Sequence, residues 1–303
     1  MGKLEVVGLG QCCLDYLTLV DEYPVEDRKQ EVGELLIQGG GVTATALVCL
    51  ARLGRRTGLI GRVGEDRFGD MVRQGLMEEG VEVTHLKTAA GGTTQFAFIL
   101  ANPARASRTI FWTRGRGDGL ELDGAPEDYI RGAKVLHLDG LAAEASLKAA
   151  RLARRAGVEV SLDAGTLREH SLDLARQVDH LVVSEVFGRA YAPRTPAEEI
   201  LQELHRLGPG SVVITLGAAG SVGFDGRRKV RMPAFKVRTV DTTGAGDAFH
   251  GGYIHGLLKG QDLEMRMRTG SAAAALCCTA LGGRTALPDL KNLNDFLANN
   301  DRG

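Results

Sequence analysis

The sequence predicts an α/β protein built on one mostly parallel sheet, with a second, smaller and mostly antiparallel sheet inserted near the N-terminus. Two patterns lead there. From about Lys134 onward, short β-branched runs alternate with helical ones, and strands separated by helices pair in parallel through right-handed crossovers. Before that point, strand-like runs follow one another across turn-rich segments, as strands of an antiparallel sheet do. With 303 residues, 44% apolar and 25% charged, the chain can bury a substantial core. No linker long or polar enough to divide it occurs, so residues 1–303 are expected to form one domain, with the small sheet contributed by about 14–38 and 94–113.

Taken in order, LEVVGL (4–9) opens the large sheet, and YLTLV (16–20), ELLIQ (34–38), TQFAFILA (94–101) and RTIFWT (108–113) supply the small one. Two helices lie between them, Thr43 to Leu53 stopped by Gly54, and about Asp66 to Glu79 stopped by Gly80. In the second, Phe68, Met71, Val72 and Leu76 recur at helical spacing and are expected to form its core face. KVLHLD (134–139), a helix from Ala143 to Ala156 ended by Gly157, VEVSLD (158–163), HLVVS (180–184) and SVVITL (211–216) continue the large sheet. The helix before SVVITL is expected to start at Thr195 as N-cap, with Pro196 in the first turn and Glu198 three residues after the cap, and to end at Gly208.

The 37 basic and 38 acidic side chains leave a net charge of -1, which argues against a dedicated nucleic-acid or membrane-surface binder. Five cysteines, with two adjacent pairs and no C-x-x-C spacing, suit neither a disulfide framework nor a zinc ribbon. No signal-peptide pattern and no apolar run near ~20 residues is found, so a reduced, cytoplasmic protein is expected. Glycine stands out, at 41 residues against a usual ~7%. Such an excess marks tight turns and places where backbone approaches a ligand.

The most informative stretch is VDTTGAGDAFHGGYIHGLLKG (240–260). Thr243-Gly244-Ala245-Gly246 is a small-residue loop at a helix N-terminus, where unpaired N–H groups and the helix dipole favour a phosphate or a developing oxyanion. Asp247, in the first turn, is placed to take a proton from a hydroxyl attacking that phosphate. The plainer alternative is that Asp247 only caps the helix. Other signals are weaker. Gly8-Leu9-Gly10 follows a strand, but Cys13 holds the third glycine position of a dinucleotide fingerprint. No Walker-type phosphate loop occurs. His250 and His255 are expected to pack or meet solvent rather than bind metal.

DTTGAGDAFHGG resembles the C-terminal signature of the PfkB-type, ribokinase-like carbohydrate kinases. GGGVTATALVCLARLGRRTGLIGRVGEDRFGDMV (39–72) resembles that family's other signature, and VVITLGAAG (212–220) resembles the strand and turn before its nucleotide site. The resemblance runs from Leu4 to Pro288, in family order. It implies a ribokinase-like three-layer sandwich with a small β-sheet lid, and an ATP-dependent sugar kinase using Mg2+. The implied roles are Asp247 as catalytic base and the amides around Gly244, Ala245, Gly246 and Asp247 as anion hole. Asp15 and Gly39-Gly40-Gly41 are implied as sugar ligands, and Ser184, Thr215, Gly217, Gly220, Cys278 and Gly283 fall to the nucleotide. Asp241, with carbonyls at Thr243, Cys277, Ala280 and Gly282, is implied as a monovalent-cation (K+) site. Glu185 is the candidate for magnesium. Pairing of two lids into a homodimer is a further expectation.

Three departures stand against the family pattern. Ala44 replaces a common asparagine in the helix after the glycine run. Ser184-Glu185-Val186-Phe187 replaces N-x-x-E, and Ala286 replaces a hydroxyl at the cation. The second of these, together with GGG (39–41) in place of G-G-K-G, looks more like ketohexokinase and related hexulose-kinase branches than like ribokinase. A ketohexose or pentose is therefore the expected acceptor, with a nucleoside, an acidic or phosphorylated sugar, or a silent sensor as rivals. Arg105, Arg108, Arg114 and Arg116 read first as a solvated sheet edge, although arginine beside a lid also grips carboxylate, phosphate or sulfonate. Strand alternation puts Ile110, Trp112 and Arg114 on one face and Thr109, Phe111 and Thr113 on the other. The expectation is that Phe111 faces a neutral sugar; with Trp112 inward, Arg114 would meet an anionic one.

Overall fold

The computed structural model describes residues 3–117, 119–122 and 124–300. The chain starts with β1 (Val6–Leu9), β2 (Cys13–Leu19), β3 (Leu36–Gly40), α1 (Val42–Arg52), β4 (Thr57–Gly64), α2 (Arg67–Glu78) and β5 (Val81–Ala89). It continues through β6 (Phe96–Asn102), β7 (Ser107–Thr113), α3 (Ala125–Arg131), β8 (Val135–Leu138), α4 (Ala143–Arg155), β9 (Glu159–Ala164) and α5 (Ser171–Ala175). Then follow β10 (His180–Ser184), α6 (Glu185–Tyr191), α7 (Ala197–His205), β11 (Ser211–Thr215), β12 (Ser221–Phe224) and β13 (Lys229–Met232). The chain closes with α8 (Ala245–Leu258), α9 (Leu263–Cys277) and α10 (Leu290–Asn299).

Nine strands form the large sheet in the order β13-β12-β11-β10-β9-β8-β1-β4-β5. All its pairings are parallel except those of β12 with β11 and β13. The central strands are buried on both faces and read as continuous Val, Ile and Leu runs, as doubly covered parallel strands do. One face packs on α3, α4, α5 and α7 through Leu136, Leu138, Leu162 and Val183, and the other packs on α1, α8 and α9. The small sheet has the order β3-β2-β6-β7. It is antiparallel at both edges and parallel at its centre, where β2 meets β6. Leu19, Ile37, Phe98, Ile110, Phe111 and Trp112 remain exposed on it.

The start of α2 explains why GRVGEDRFG has its spacing. Asp66 caps the helix by accepting from the Gly69 N–H, and the same carboxylate accepts from both N and Oγ1 of Thr94, just before β6. The Gly64 N–H donates to Thr94 Oγ1 at 2.9 Å, and a Cβ on Gly69 would lie 2.4 Å from the Gly64 carbonyl. One carboxylate thus fastens the small sheet to the body. The cap of α7 differs from expectation: Pro196, not Thr195, occupies it, and no side chain accepts a bond there. The Pro196 carbonyl accepts from the Glu199 and Ile200 N–H groups, and this starts the helix without a side-chain cap. Met71, expected on the core face of α2, is exposed.

Candidate active site

Both edges of the site come from segments far apart in sequence. The turn 241–244 enters α8 through Gly244, whose φ of 73° is left-handed and whose Cβ would strike Gly283 Cα at 2.6 Å. Only glycine fits there. Asp241 is buried, with Oδ1 accepting from the Thr243 N–H and hydroxyl and Oδ2 from the Gly282 N–H, each at 2.9 Å. The Cys277 thiol points at the Thr243 and Gly283 carbonyls, 3.5 and 3.4 Å away, and the Val240 N–H donates to the Cys278 carbonyl. Asp241, Thr243, Cys277, Cys278, Gly282 and Gly283 therefore form one knot. Ala280 belongs to the same loop.

Asp247 sits in the first turn of α8, yet it does not cap the helix. Its carboxylate forms no hydrogen bond among the described residues. Burial above all, and then the nearby Asp163 carboxylate, push it well above the usual carboxylate range, while Arg108 and Arg284 pull the other way. Beside it Gly246 is exposed, and a Cβ built there would meet no atom within 4 Å. An unused carboxylate thus borders open space at the positive end of a helix dipole.

On the other side, Asp15 on β2 is buried, and burial raises its carboxyl above its ordinary value. The Cys13 thiol donates to Asp15 Oδ1 at 3.2 Å. Gly39, Gly40 and Gly41 pass closely: a Cβ on Gly40 would lie 2.0 Å from Asp15 Oδ2, and one on Gly39 2.3 Å from Arg284 Nη1. Arg284, 5% exposed, runs beneath this glycine run and donates from Nη2 to the Gly40 carbonyl at 2.9 Å. Sequence reasoning missed it. Asp139 was missed as well: at the end of β8 it accepts from the Gln11 and Leu141 N–H groups and the Thr43 hydroxyl, tying β1, α1 and β8 together.

Register settles which face of the small sheet looks inward. Asp15 pairs with Ala97, and Ala97 pairs with Trp112, so these three side chains share a face. Arg108 lies on that face too, and its Nη1 donates to Thr242 Oγ1 at 2.7 Å, across to the turn before α8. Trp112, not Phe111, is therefore on the inner side. The Arg114 guanidinium stacks on Trp112, 5.1 Å from the ring centroid. Arg108 is likewise no mere solvated edge.

The nucleotide candidates lie along the C-terminal edge of the large sheet, where parallel α/β sheets bind ligands. Ser184 and Thr215 are paired in register, and Gly217 follows with φ 57° and open space beyond. Ser184 Oγ caps α6 through the Phe187 N–H and donates to the Gly165 carbonyl. Gly220 has an internal reason to be glycine, since its Cβ would meet the Met232 carbonyl at 2.0 Å. Glu185 is occupied by Arg189 on the surface of α6, at 2.5 Å, and the described residues contain no group of three or more His, Cys, Asp or Glu that could hold a metal ion. His250 does not meet solvent as one expectation allowed: it is buried, with Nε2 3.2 Å from Asp163 Oδ2.

A partnerless carboxylate at a helix N-terminus, with a second sheet reaching over it, is what a phosphotransferase with a hydroxyl acceptor requires, and comparison with known proteins places the chain among such enzymes. It belongs to the pfkB family of carbohydrate kinases, which matches residues 3–290. The chain is 27% identical to the deoxyribokinase of Salmonella typhimurium, over 98% of its own length and 100% of the relative's. It is 28% identical to the 5-dehydro-2-deoxygluconokinase of Clostridium perfringens, over 97% and 93%. The ribokinase of Arabidopsis thaliana, solved with ribose and ATP, shares the fold with a TM-score of 0.86 at 24% identity, covering 98% and 99% of the two chains. Among the described residues no helix is long and apolar enough to cross a membrane.

Proposed function

We propose that the protein transfers the γ-phosphoryl group of ATP to a hydroxyl of a small sugar, with Asp247 as general base. The observation that carries this reading is the unpartnered Asp247 carboxylate beside the open space over Gly246. Asp247 takes the hydroxyl proton as that oxygen attacks phosphorus. The N–H groups from Gly244 to Asp247 bear the charge on the transferring oxygens. Asp15 and the glycine run orient the acceptor hydroxyls, with Arg284 fixing the run from below. The small sheet excludes water, which otherwise competes as acceptor.

Ser184, Thr215 and Gly217, with Cys278 and Gly283, line the nucleotide side. Mg2+ would neutralise phosphate charge and would be held largely by the phosphates themselves, as this ion commonly is, because Glu185 is engaged by Arg189. Asp241 and the carbonyls of Thr243, Cys277, Ala280 and Gly282 suit K+, which orders the turn before α8; Ala286 supplies no hydroxyl to it.

For the acceptor, the Trp112 face supports a sugar carrying carboxylate, phosphate or sulfonate. Arg114 lies stacked on the side of the sheet that bears Asp15, and guanidinium matches such groups bidentately. A coupled assay of ATP consumption over neutral sugars, sugar acids, sugar phosphates, sulfonated sugars and nucleosides tests both parts. Anionic sugars should turn over fastest, and Arg114→Ala should remove that preference. Turnover of neutral sugars alone, unaffected by Arg114→Ala, would contradict the anionic acceptor. ATP left unconsumed with every compound would contradict the kinase reading.

A further inference from the structure

Asp247 and His250 lie three residues apart on α8 and so leave the same side of the helix. Beneath them runs a polar row in the otherwise apolar interior of the large sheet. His137 on β8 is paired with Ser161 on β9, and Asp163 follows two residues later on the same face. His250 Nε2 lies 3.2 Å from Asp163 Oδ2, with the two side chains 4% and 12% exposed. The His137 ring centroid is 5.3 Å from that of His250. Burial, reinforced by His250, pushes His137 down to about 3, so it carries no charge near neutrality. Neither its nitrogens, nor His250 Nδ1, nor Ser161 Oγ has a protein partner. Such atoms are rare enough in native interiors to call for an explanation.

Burial opposes ionisation of Asp163, but His250 outweighs it and holds the carboxyl below its usual range. The result is a fixed negative charge behind a second carboxylate that faces the cleft. Burying the Asp163 carboxylate beside a second buried aspartate costs stability unless something is gained from it.

We propose that Asp163, clamped by His250 against α8 one turn from Asp247, is a positioning residue for phosphoryl transfer: its carboxylate turns that of Asp247 away from the sheet and toward the acceptor hydroxyl. A base is most effective when its proton affinity is tuned toward the working pH. The inference rests on the reading of Asp247 as the base. The charged groups facing Asp247 are Asp163 and Asp15, which strengthen it, and Arg108 and Arg284, which weaken it. Those facing Asp163 are His250 and His137, which favour its charge, and the Asp139 and Asp247 carboxylates, which oppose it.

The test is a carbon-13 NMR titration of the full chain labelled at aspartate, without nucleotide or sugar, with the Asp247 signal assigned by its loss in Asp247→Asn. In Asp163→Asn the Asp247 midpoint should fall by about one unit or more, and kcat on whichever sugar is accepted should drop at least ~10-fold with KM little changed. Should that variant not fold, the double variant Asp163→Asn with His250→Asn replaces the pair by two hydrogen-bonding amides, and the same fall is expected. An unmoved Asp247 midpoint in a folded variant, or an unchanged kcat, overturns the inference. If Asp247→Asn itself keeps its turnover, it is the base assignment that has failed instead.

Discussion

Two glycine-rich turns border the cleft, and they are glycine for opposite reasons. Along Gly39-Gly40-Gly41 a side chain would strike the protein: Arg284 Nη1 at Gly39, Asp15 at Gly40, and Cys12 Cα at 2.6 Å from Gly41, whose φ of 96° also excludes other residues. At Gly246 a side chain would strike nothing, and its φ is ordinary. The first turn is crowded because it holds a buried carboxylate and a buried guanidinium at fixed distance, which gives an acceptor site its geometry. The second is open, as the proposed seat of phosphoryl transfer requires. Substitutions at the two turns should therefore fail in different ways.

The largest effect is expected at Gly40→Ala. Its methyl group cannot coexist with Asp15 Oδ2 at 2.0 Å, so either the carboxylate or β3 must move. Overpacking of this kind costs about 1–3 kcal/mol, and a displaced Asp15 leaves sugar hydroxyls unpaired at a further ~1–3 kcal/mol. Melting temperature and kcat/KM for the sugar should both fall, the latter by about 10²-fold; a variant with parental values for both would show that the crowding is relieved elsewhere. Next comes Gly246→Ala. Alanine is favoured over glycine in a helix by ~1 kcal/mol, so melting should hold or rise while turnover falls about 10-fold. Undiminished turnover would mean that no phosphoryl group occupies that space. The smallest effect, a few-fold, is expected on replacing potassium by tetramethylammonium at matched ionic strength, because an ion at Asp241 only orders the open turn. Equal rates in both, and in sodium, would remove the cation from the account.

Much of this contrast was written in the chain, and the rest could not be. The alternation of KVLHLD, VEVSLD, HLVVS and SVVITL with helical segments located β8 to β11, because parallel strands buried on both faces are largely apolar, even with His137 and Ser161 inside them. Within GLIGRVG the glycines of β4 masked its strand character, and β12 and β13 form a hairpin around Gly226, φ 84°, whose Asp225-Gly226 turn signal is short. The knot at Asp241 was legible through its motif. Arg284 was not, since its partner Gly40 lies 244 residues away and nothing local marks the contact. Period-two alternation grouped Trp112 with Arg114 and Phe111 with Thr113, but which group faces inward depends on the register of β7 with β6 and β2. Asp139 and Asp163 carried a signal that went unused: each is the acidic residue ending an apolar run, at the edge where parallel sheets bind ligands.

Turnover and melting of Asp247→Asn, measured on the same sample, test the central claim most directly. Asparagine keeps the size of aspartate and lacks its basicity, so turnover should fall by ~10²–10⁴ while nucleotide affinity stays nearly unchanged. The stability change has a definite sign. A carboxyl held above its ordinary value binds more protons in the folded than in the unfolded chain, so its ionisation costs stability, which is lost as pH rises from the unfolded value of about 4 through the folded one. The variant should therefore melt higher than the parent near neutral pH, with the gain vanishing in acid. A folded Asp247→Asn that keeps turnover within a few-fold of the parent would contradict the assignment of the base, and with it the account of the open turn as the seat of phosphoryl transfer.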